Sequence, residues 1–305
     1  MHHSWGAIPK FLITGSDGQV GFELRRSFAP LGEVIALDRT ACDLSKPDVL
    51  CQLIREHRPH VIVNAGAYTA VDRAESDSGT AFAINGVAVG ILAEEAHALG
   101  SLLVHYSTDH VFDGAKAEAY VETDPVNPLS VYGRSKLAGE RAIAATGATA
   151  LVLRTSWVAG AHGDNFAKTM LRLGREQKNL RVISDHFGAP TTAGLIADVT
   201  AQIVAHRWLA TDRSSFPGGI YHLAAGGETT WYGYATEVLR YAAMRGVELK
   251  VDISNIEAIP SSAYPQAAVR PANSRLNTHK LRKTFDVHLP DWHLGMCHLL
   301  DQLLS

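Results

Sequence analysis

Phe11-Leu12-Ile13-Thr14-Gly15-Ser16-Asp17-Gly18-Gln19-Val20-Gly21 is the stretch whose reading decides the fold. Its first four residues have the apolar, β-branched character of a short buried strand, and Phe22-Glu23-Leu24-Arg25-Arg26-Ser27-Phe28 opens a helical pattern right after the last glycine. Between strand and helix, Gly15, Gly18 and Gly21 make a tight turn. Without β carbons there, backbone N–H groups approach a ligand closely, and the positive end of the following helix favours a pyrophosphate. Gly15, Gly18, Gln19, Val20 and Gly21 are therefore the first candidate cofactor-binding residues. A plain strand-to-helix turn looks the same locally, so the flanking sequence has to supply the context.

It does so by repetition. The next strand, Glu33 to Leu37, ends at Asp38, about 20 residues past the glycine turn, where a carboxylate accepts from an adenosine ribose hydroxyl. Arg39 follows at once and suits the extra phosphate of NADP, so the pair leaves NADH and NADPH both open. Asp43 and Leu44 lie in a polar turn fitted to an adenine edge, and Pro47 starts a helix through Arg55. His60 to Asn64 is a third strand, running out into Ala65-Gly66-Ala67-Tyr68-Thr69, where Ala67, Tyr68 and Thr69 are cofactor candidates. A helix from Ala81 to Leu99 precedes a fourth strand, Ser101 to Tyr106, with Tyr106 also counted among them. Strand and helix alternating at this pace predict an α/β fold with a Rossmann-type, doubly wound parallel sheet.

The fourth strand delivers Ser107-Thr108-Asp109 to its carboxyl end, the edge where such sheets bind ligands. A hydroxyl at Thr108 can polarise a carbonyl, although the same residue also serves simply to cap a turn. After a segment punctuated by Pro125 and Pro128 comes Val131-Tyr132-Gly133-Arg134-Ser135-Lys136-Leu137-Ala138-Gly139-Glu140. Four residues of helix place Tyr132 and Lys136 on one face. The ammonium is expected to favour the phenolate and pull the Tyr132 pKa below its ordinary value of about 10. A solvated helix face could carry such a pair by accident, but here both hydroxyls can converge at one sheet edge.

Composition narrows the classes further. The chain has 305 residues, a 46% hydrophobic and a 19% charged fraction, and a net charge of -3. That describes an ordinary globular chain with no electrostatic footprint for nucleic acid. No apolar run approaches a membrane span, and Met1 to Lys10 lacks the layout of a secretion signal. Cys42, Cys51 and Cys297, odd in number and without metal-like spacing, fit reduced thiols in a cytoplasmic protein. The histidines are scattered, with His2 and His3 at the very start, and no metal ligand set is evident.

Taken together, Gly15-x-x-Gly18-Gln19-x-Gly21, Asn64 to Thr69, Ser107-Thr108-Asp109 and Tyr132-x-x-x-Lys136 resemble the extended short-chain dehydrogenases, and among them the reductases of dTDP-linked keto sugars. The resemblance runs over roughly residues 11 to 295, through Leu153-Arg154-Thr155-Ser156-Trp157-Val158, Asn165 to Met170, Gly188 to Thr191 and Arg270-Pro271-Ala272-Asn273-Ser274-Arg275-Leu276. It implies hydride transfer from NADPH or NADH to the C4 ketone of a dTDP-linked 6-deoxy-4-ketohexose, in dTDP-rhamnose synthesis. Tyr132 would be the proton donor, Lys136 its partner and nicotinamide-ribose ligand, and Thr108 a hydrogen-bond donor to the reacting oxygen. Thr108, Asp109, Trp157, Arg270 and Asn273 would hold the substrate. On their own chemistry Trp157 offers a flat apolar face, and Arg270 and Arg275 offer forks for a pyrophosphate.

The strict alternation is lost after Gly160, returns at a strand over Gly219 to Leu223, and gives way to helices such as Trp231 to Arg245. Residues 1–157 and about 190–225 are expected to form the NAD(P)-binding unit, and about 158–189 with 226–305 the sugar-nucleotide unit. Two departures matter. Dimeric members of the family bridge subunits with a divalent metal on glutamates; one matches Glu23, but the other matching positions are Gly194 and His293, so a Mg2+ bridge is doubtful, leaving monomer or homodimer open. His110 stands where related dehydratases carry a glutamate base, which argues against elimination. A sugar-nucleotide epimerase and a non-catalytic NAD(P)-binding regulatory subunit are the competing readings.

Overall fold

The computed structural model describes residues 8–305, so His2, His3 and most of the stretch inspected for a secretion signal lie outside the described residues. The first half runs β1 (Lys10–Thr14), α1 (Gln19–Phe28), β2 (Glu33–Leu37), α2 (Pro47–His57), β3 (Val61–Asn64), α3 (Val71–Ala74), α4 (Ser78–Phe82), α5 (Ala88–Leu99), β4 (Leu102–Thr108), α6 (Val131–Thr146) and β5 (Ala150–Thr155). The second half continues with β6 (Val158–Ala159), α7 (Phe166–Glu176), β7 (Leu180–Ile183), β8 (Phe187–Gly188), β9 (Thr191–Thr192), α8 (Ala193–Ile203) and β10 (Gly219–His222). It closes with β11 (Thr229–Thr230), α9 (Trp231–Met244), β12 (Ile256–Ile259), α10 (His279–Phe285) and α11 (Trp292–Leu304).

Six strands form one sheet in the order β10-β5-β4-β3-β1-β2, and every pairing in it is parallel. The chain turns one way from β1 to reach β2 and the other way to reach β3, so the topological switch lies at β1/β3, where such sheets open a ligand crevice. Side chains alternate between the faces. Phe11, Ile13, Val104, Tyr106 and Leu153 point to one face and meet Leu24, Phe28, Ile196 and Leu281. Leu12, Ile62, Leu103 and Val152 point to the other and meet Leu50, Ile54, Leu92 and Ile143. Each such fully buried aliphatic side chain contributes about 2 kcal/mol.

A second core gathers Leu171, Tyr234, Leu239, Trp292 and Met296 from α7, α9 and α11. The two regions interleave more than a cut near residue 226 suggests: Leu281, Phe285 and Leu289 pack in the first core, beside β10. The expected helix at Ala81 starts at Ser78, and a π turn over Ala83–Val87 joins α4 to α5. That whole stretch, Ser78–Leu99, is long and apolar enough by length and composition to cross a membrane, which the sequence reading did not anticipate. Its inner side is that of a core helix, with Leu92, Ala93 and Ala96 wholly buried on the sheet.

What holds α6 against the sheet is an ion pair with almost no access to water. Glu140 accepts from Arg154 Nη2 at 2.6 Å and Nε at 2.9 Å, and from Ser107 Oγ at 2.5 Å. Both side chains of the pair are 3% exposed. Ser107 and Arg154 are register partners on β4 and β5, so one carboxylate clamps the helix across two strands. Removing one member of such a pair leaves an uncompensated buried charge. Glu140→Ala should therefore cost about 3 kcal/mol of unfolding free energy, read from urea or thermal melts, whereas replacing Glu140 and Arg154 together by apolar residues should recover most of it.

Candidate active site

The glycine turn is built as its sequence suggests. Gly15 has a φ of +64°, and a β carbon on it would lie 2.5 Å from Gly66 Cα, so the turn after β1 and the loop after β3 touch at the switch point. A β carbon on Gly21 would sit 2.0 Å from Gly15 O, which ties the first turn of α1 to the loop. Gly18 is the N-cap of α1, and Gln19 begins the helix. The Gln19 side chain leaves the turn and accepts from Gly160 N and Asn165 Nδ2, thereby linking it to the second region.

The other cofactor candidates are placed unequally. Asp38 follows β2 directly and accepts from Ala41 N at 2.8 Å, while Arg39 is exposed. Asp43 accepts from Ser45, and buried Leu44 lies against Gly66. Ala67 and Tyr68 are half-buried and Thr69 exposed; Asn85 of the π turn fixes the loop by pairing with both backbone groups of Tyr68. The Tyr68 phenol donates to Asp77. Tyr106 meets the site with its backbone. Its phenol is buried in the core and pairs with Thr200 of α8, so only its carbonyl reaches the site side of the sheet.

Thr108, Tyr132 and Lys136 do come together. Thr108 ends β4, accepts from His110 N at 3.1 Å and donates to Asp109 Oδ1 at 3.0 Å. It caps the single turn Asp109–Val111, and its hydroxyl is near enough to the Tyr132 phenol to work against the rise that burial imposes on that group. Tyr132 stands in the first turn of α6, whose start is set by the Ser130 side chain accepting from Gly133 N. His110 meets the Tyr132 ring edge-on, centroids 5.4 Å apart.

One expectation is corrected. Burial, with the Asp109 charge adding to it, pushes the Tyr132 phenol up to about 12, whereas the sequence reading expected it to fall. Lys136 gives its strongest hydrogen bond to Tyr106 O, at 2.6 Å, and its own pKa is lowered to about 8 by burial, with Glu140 pulling the other way. Lys136 is not among the groups that act on the phenol, so desolvation, and not the attraction that the one-turn spacing suggested, sets the direction of both shifts.

Asp109 Oδ2, His110 Nδ1, Thr155 Oγ1 and Ser156 Oγ are buried without a protein partner, all at the carboxyl ends of β4 and β5. Buried polar atoms normally find partners, so this rim suits a hydroxyl-rich ligand. Trp157 adopts a φ of +47° and stacks on Trp231 at 3.7 Å, so that face is already engaged. The Arg270 fork is taken up by Asp72 of α3, at 2.6 Å and 3.1 Å, and the guanidinium holds that carboxyl below its ordinary range. Asn273 donates to the carbonyls of Lys116 and Glu118 and accepts from Arg275, which itself pairs with Glu228. These polar side chains brace loops around the rim. Glu23 accepts from Arg26, His293 pairs with Asp291, and no group of three metal-ligating side chains occurs among the described residues.

Sequence reasoning quoted Asn64 in a motif without giving its side chain a role, and missed Asn85 and His105, because each sits within an element that its neighbours identify as strand or helix. The available signal was a polar residue inside an otherwise apolar run, as in Leu102-Leu103-Val104-His105-Tyr106.

Comparison with known proteins follows the same lines. A family model described as the RmlD substrate binding domain matches residues 9–305. The chain is 47% identical over 292 residues to a dTDP-4-dehydrorhamnose reductase of Burkholderia thailandensis, covering 94% of this chain and 97% of the relative. It is 46% identical over 298 residues to the reductase of the same name from Salmonella typhimurium, covering 96% and 98%. Among solved structures, the Bacillus anthracis dTDP-4-dehydrorhamnose reductase in complex with NADP superposes with a TM-score of 0.88 at 29% identity, covering 97% of this chain and all of that one.

The tightest steric constraint in the turn yields a test. Gly21→Ala must displace Gly15 O, and overpacking of that kind costs about 1–3 kcal/mol. Titration with NADPH should show a loss of about tenfold or more in affinity, with the far-UV circular dichroism unchanged.

Proposed function

This chain belongs to the RmlD substrate binding domain family, and on that premise we propose that it reduces the C4 ketone of dTDP-4-dehydro-6-deoxy-L-mannose with NADPH, giving dTDP-L-rhamnose. It is an NADPH-dependent oxidoreductase of dTDP-rhamnose biosynthesis. The observation that carries the reading is the gathering of Thr108, Tyr132 and Lys136 at the β4 rim, next to a glycine turn shaped for a dinucleotide.

The residues fit the cofactor. The Gly15 to Gly21 turn and the α1 N-terminus would hold the pyrophosphate, Asp43 and Leu44 would flank the adenine, and the 67–69 loop would line the path between. With Asp38 Oδ1 engaged by Ala41 N, exposed Arg39 is the group that would meet a 2′-phosphate. When bound, NADPH supplies the hydride for C4. Residues 158–189 and 226–305, organised largely on the second core, would hold the sugar nucleotide, with the unpartnered atoms of Asp109, Thr155 and Ser156 directed at its hydroxyls.

A phenol whose pKa is pushed up to about 12 is fully protonated at neutral pH, which suits a donor better than a base. The oxygen developing at C4 is an alkoxide, far more basic than a phenolate, so proton transfer from Tyr132 runs downhill. Thr108 turns its own proton from Asp109 to the same oxygen and stabilises the charge as it grows. Lys136, one helical turn away, stabilises the phenolate left behind and keeps one N–H for the nicotinamide ribose.

Oxidation of NADPH followed at its absorbance band, with dTDP-4-keto-L-rhamnose as acceptor, tests the reading. Tyr132→Phe should lower kcat by about 10²–10⁴-fold, the range for losing a general acid, and leave NADPH affinity unchanged. Full turnover in that variant would remove Tyr132 as the proton donor, and no NADPH oxidation by the wild type would end the reading.

A further inference from the structure

Lys136 is 1% exposed, among the largest side chains wholly enclosed in the protein. An ammonium buried that deeply needs acceptors, and an unpaired one costs several kcal/mol. The carboxylate on its own helix face, Glu140, is already saturated by Arg154 and Ser107. The structure gives the ammonium two neutral acceptors instead, Tyr106 O at 2.6 Å and His105 Nε2 at 3.3 Å.

His105 is itself fully buried, and its ring is the end of a row that crosses the sheet. Thr14, Asn64 and His105 are successive register partners on β1, β3 and β4. Their side chains are joined in the same order: Thr14 Oγ1 donates to Asn64 Oδ1 at 2.7 Å, and Asn64 Nδ2 faces His105 Nδ1 at 3.0 Å. Thr14 immediately precedes the glycine turn. The row therefore connects the cofactor cradle to the ammonium through three hydrogen bonds and one ring.

Resting on the reading of Lys136 given above, we infer that His105 is a positioning residue of the reductase. Its unprotonated Nε2 accepts from the Lys136 ammonium and holds it toward Tyr132, while Asn64, braced by Thr14, fixes the tautomer from the other side. With Nδ2 toward Nδ1 the neutral ring would carry its proton on Nε2, so the competent arrangement has the Asn64 amide turned over: its oxygen accepts from Nδ1–H and its nitrogen donates to Thr14 Oγ1, which leaves the Nε2 lone pair for the lysine. Burial and the Lys136 charge hold the imidazole well below its ordinary pKa, so the ring stays neutral throughout the working range. The charged or titratable groups that face Lys136 are His105 from β4, and Tyr132 and Glu140 from α6, the last neutralised by Arg154 of β5. Tyr106 contributes only its carbonyl.

The sign of the effect follows directly. Removing the Nε2 acceptor destabilises the ammonium relative to the amine, so Lys136 loses its proton at lower pH. Activity that needs the ammonium then falls earlier as pH rises.

The test is the pH profile of kcat for wild type, His105→Phe, His105→Asn, His105→Gln and Lys136→Met, with NADPH affinity measured alongside by fluorescence. Wild type should lose activity as pH rises through about 8, and Lys136→Met should be nearly inactive at every pH. In His105→Phe the alkaline limb should move down by about one pH unit. His105→Gln, which can place an amide oxygen near the Nε2 position, should keep the wild-type limb, whereas His105→Asn, which reaches only the Nδ1 position, should shift like the Phe variant. The Gln and Asn pair decides the matter if the Phe variant does not fold. A uniform drop in kcat with the limb unmoved in both Phe and Asn variants would overturn the inference while leaving the catalytic reading intact. Wild-type activity in Lys136→Met would overturn both.

Discussion

The structure depends on a single carboxylate buried between one helix and two strands. Glu140 holds Arg154 and Ser107 at once, and because these lie opposite each other on β5 and β4, the contact fixes both the height and the rotation of α6 above the sheet. Two turns earlier on the same helix stands Tyr132, one turn earlier Lys136. A slip of one residue would rotate those side chains about 100° away from Thr108. Taking two charges out of water stabilises little in itself; what the pair supplies is one orientation, since no other placement of the helix satisfies both ions.

The remaining polar groups in the interior follow from the same constraint. Once Glu140 is committed to Arg154, Lys136 has no carboxylate and is served by a strand carbonyl and a neutral ring. That arrangement keeps its charge only loosely held, with the pKa lowered to about 8, which is close to the range in which an enzyme operates. The hydroxyl partners are treated differently. Thr108 is anchored on one side by His110 N, and Tyr132 is kept protonated by burial, so the pair is set up to give a proton and to take up negative charge. The low dielectric that raises the phenol also strengthens every hydrogen bond made to a developing oxyanion there.

Around this centre, side chains that look from the sequence like ligand contacts also tie the surrounding segments to one another. Arg270 spans from the late chain to Asp72 on α3, and Asn273 ties the segment around Lys116 and Glu118 to Arg275. Trp157 holds a left-handed backbone conformation beside Gly188, whose β carbon would lie 2.6 Å from the indole. A strained conformation of that kind persists only where its surroundings over-determine it. Here the stack on Trp231 does so, and it connects the end of the sheet region to the second core.

Much of the molecule was legible without coordinates. Alternating strand and helix patterns located β1 to β4 and the helices α1, α2 and α5 to within a few residues, because apolar periodicity is written locally. The glycine turn was legible for the same reason, since its steric demand falls on residues close together in the chain. The convergence of Thr108 with Tyr132 was also within reach, from the rule that strand ends and the following helix starts share one edge of a parallel sheet. Which groups are desolvated and which partner each one chooses could not be read that way. The fall expected for the Tyr132 pKa became a rise because burial is a sum over distant segments, and the Tyr106 phenol went to Thr200 because α8 packs on that face. Thr14, Asn64 and His105 are far apart in sequence and become one hydrogen-bonded row only through the register of β1, β3 and β4. The sequence by itself determined the elements and the chemical groups; the tertiary structure decided their electrostatics, because solvent exclusion and cross-strand register exist only once the chain is folded.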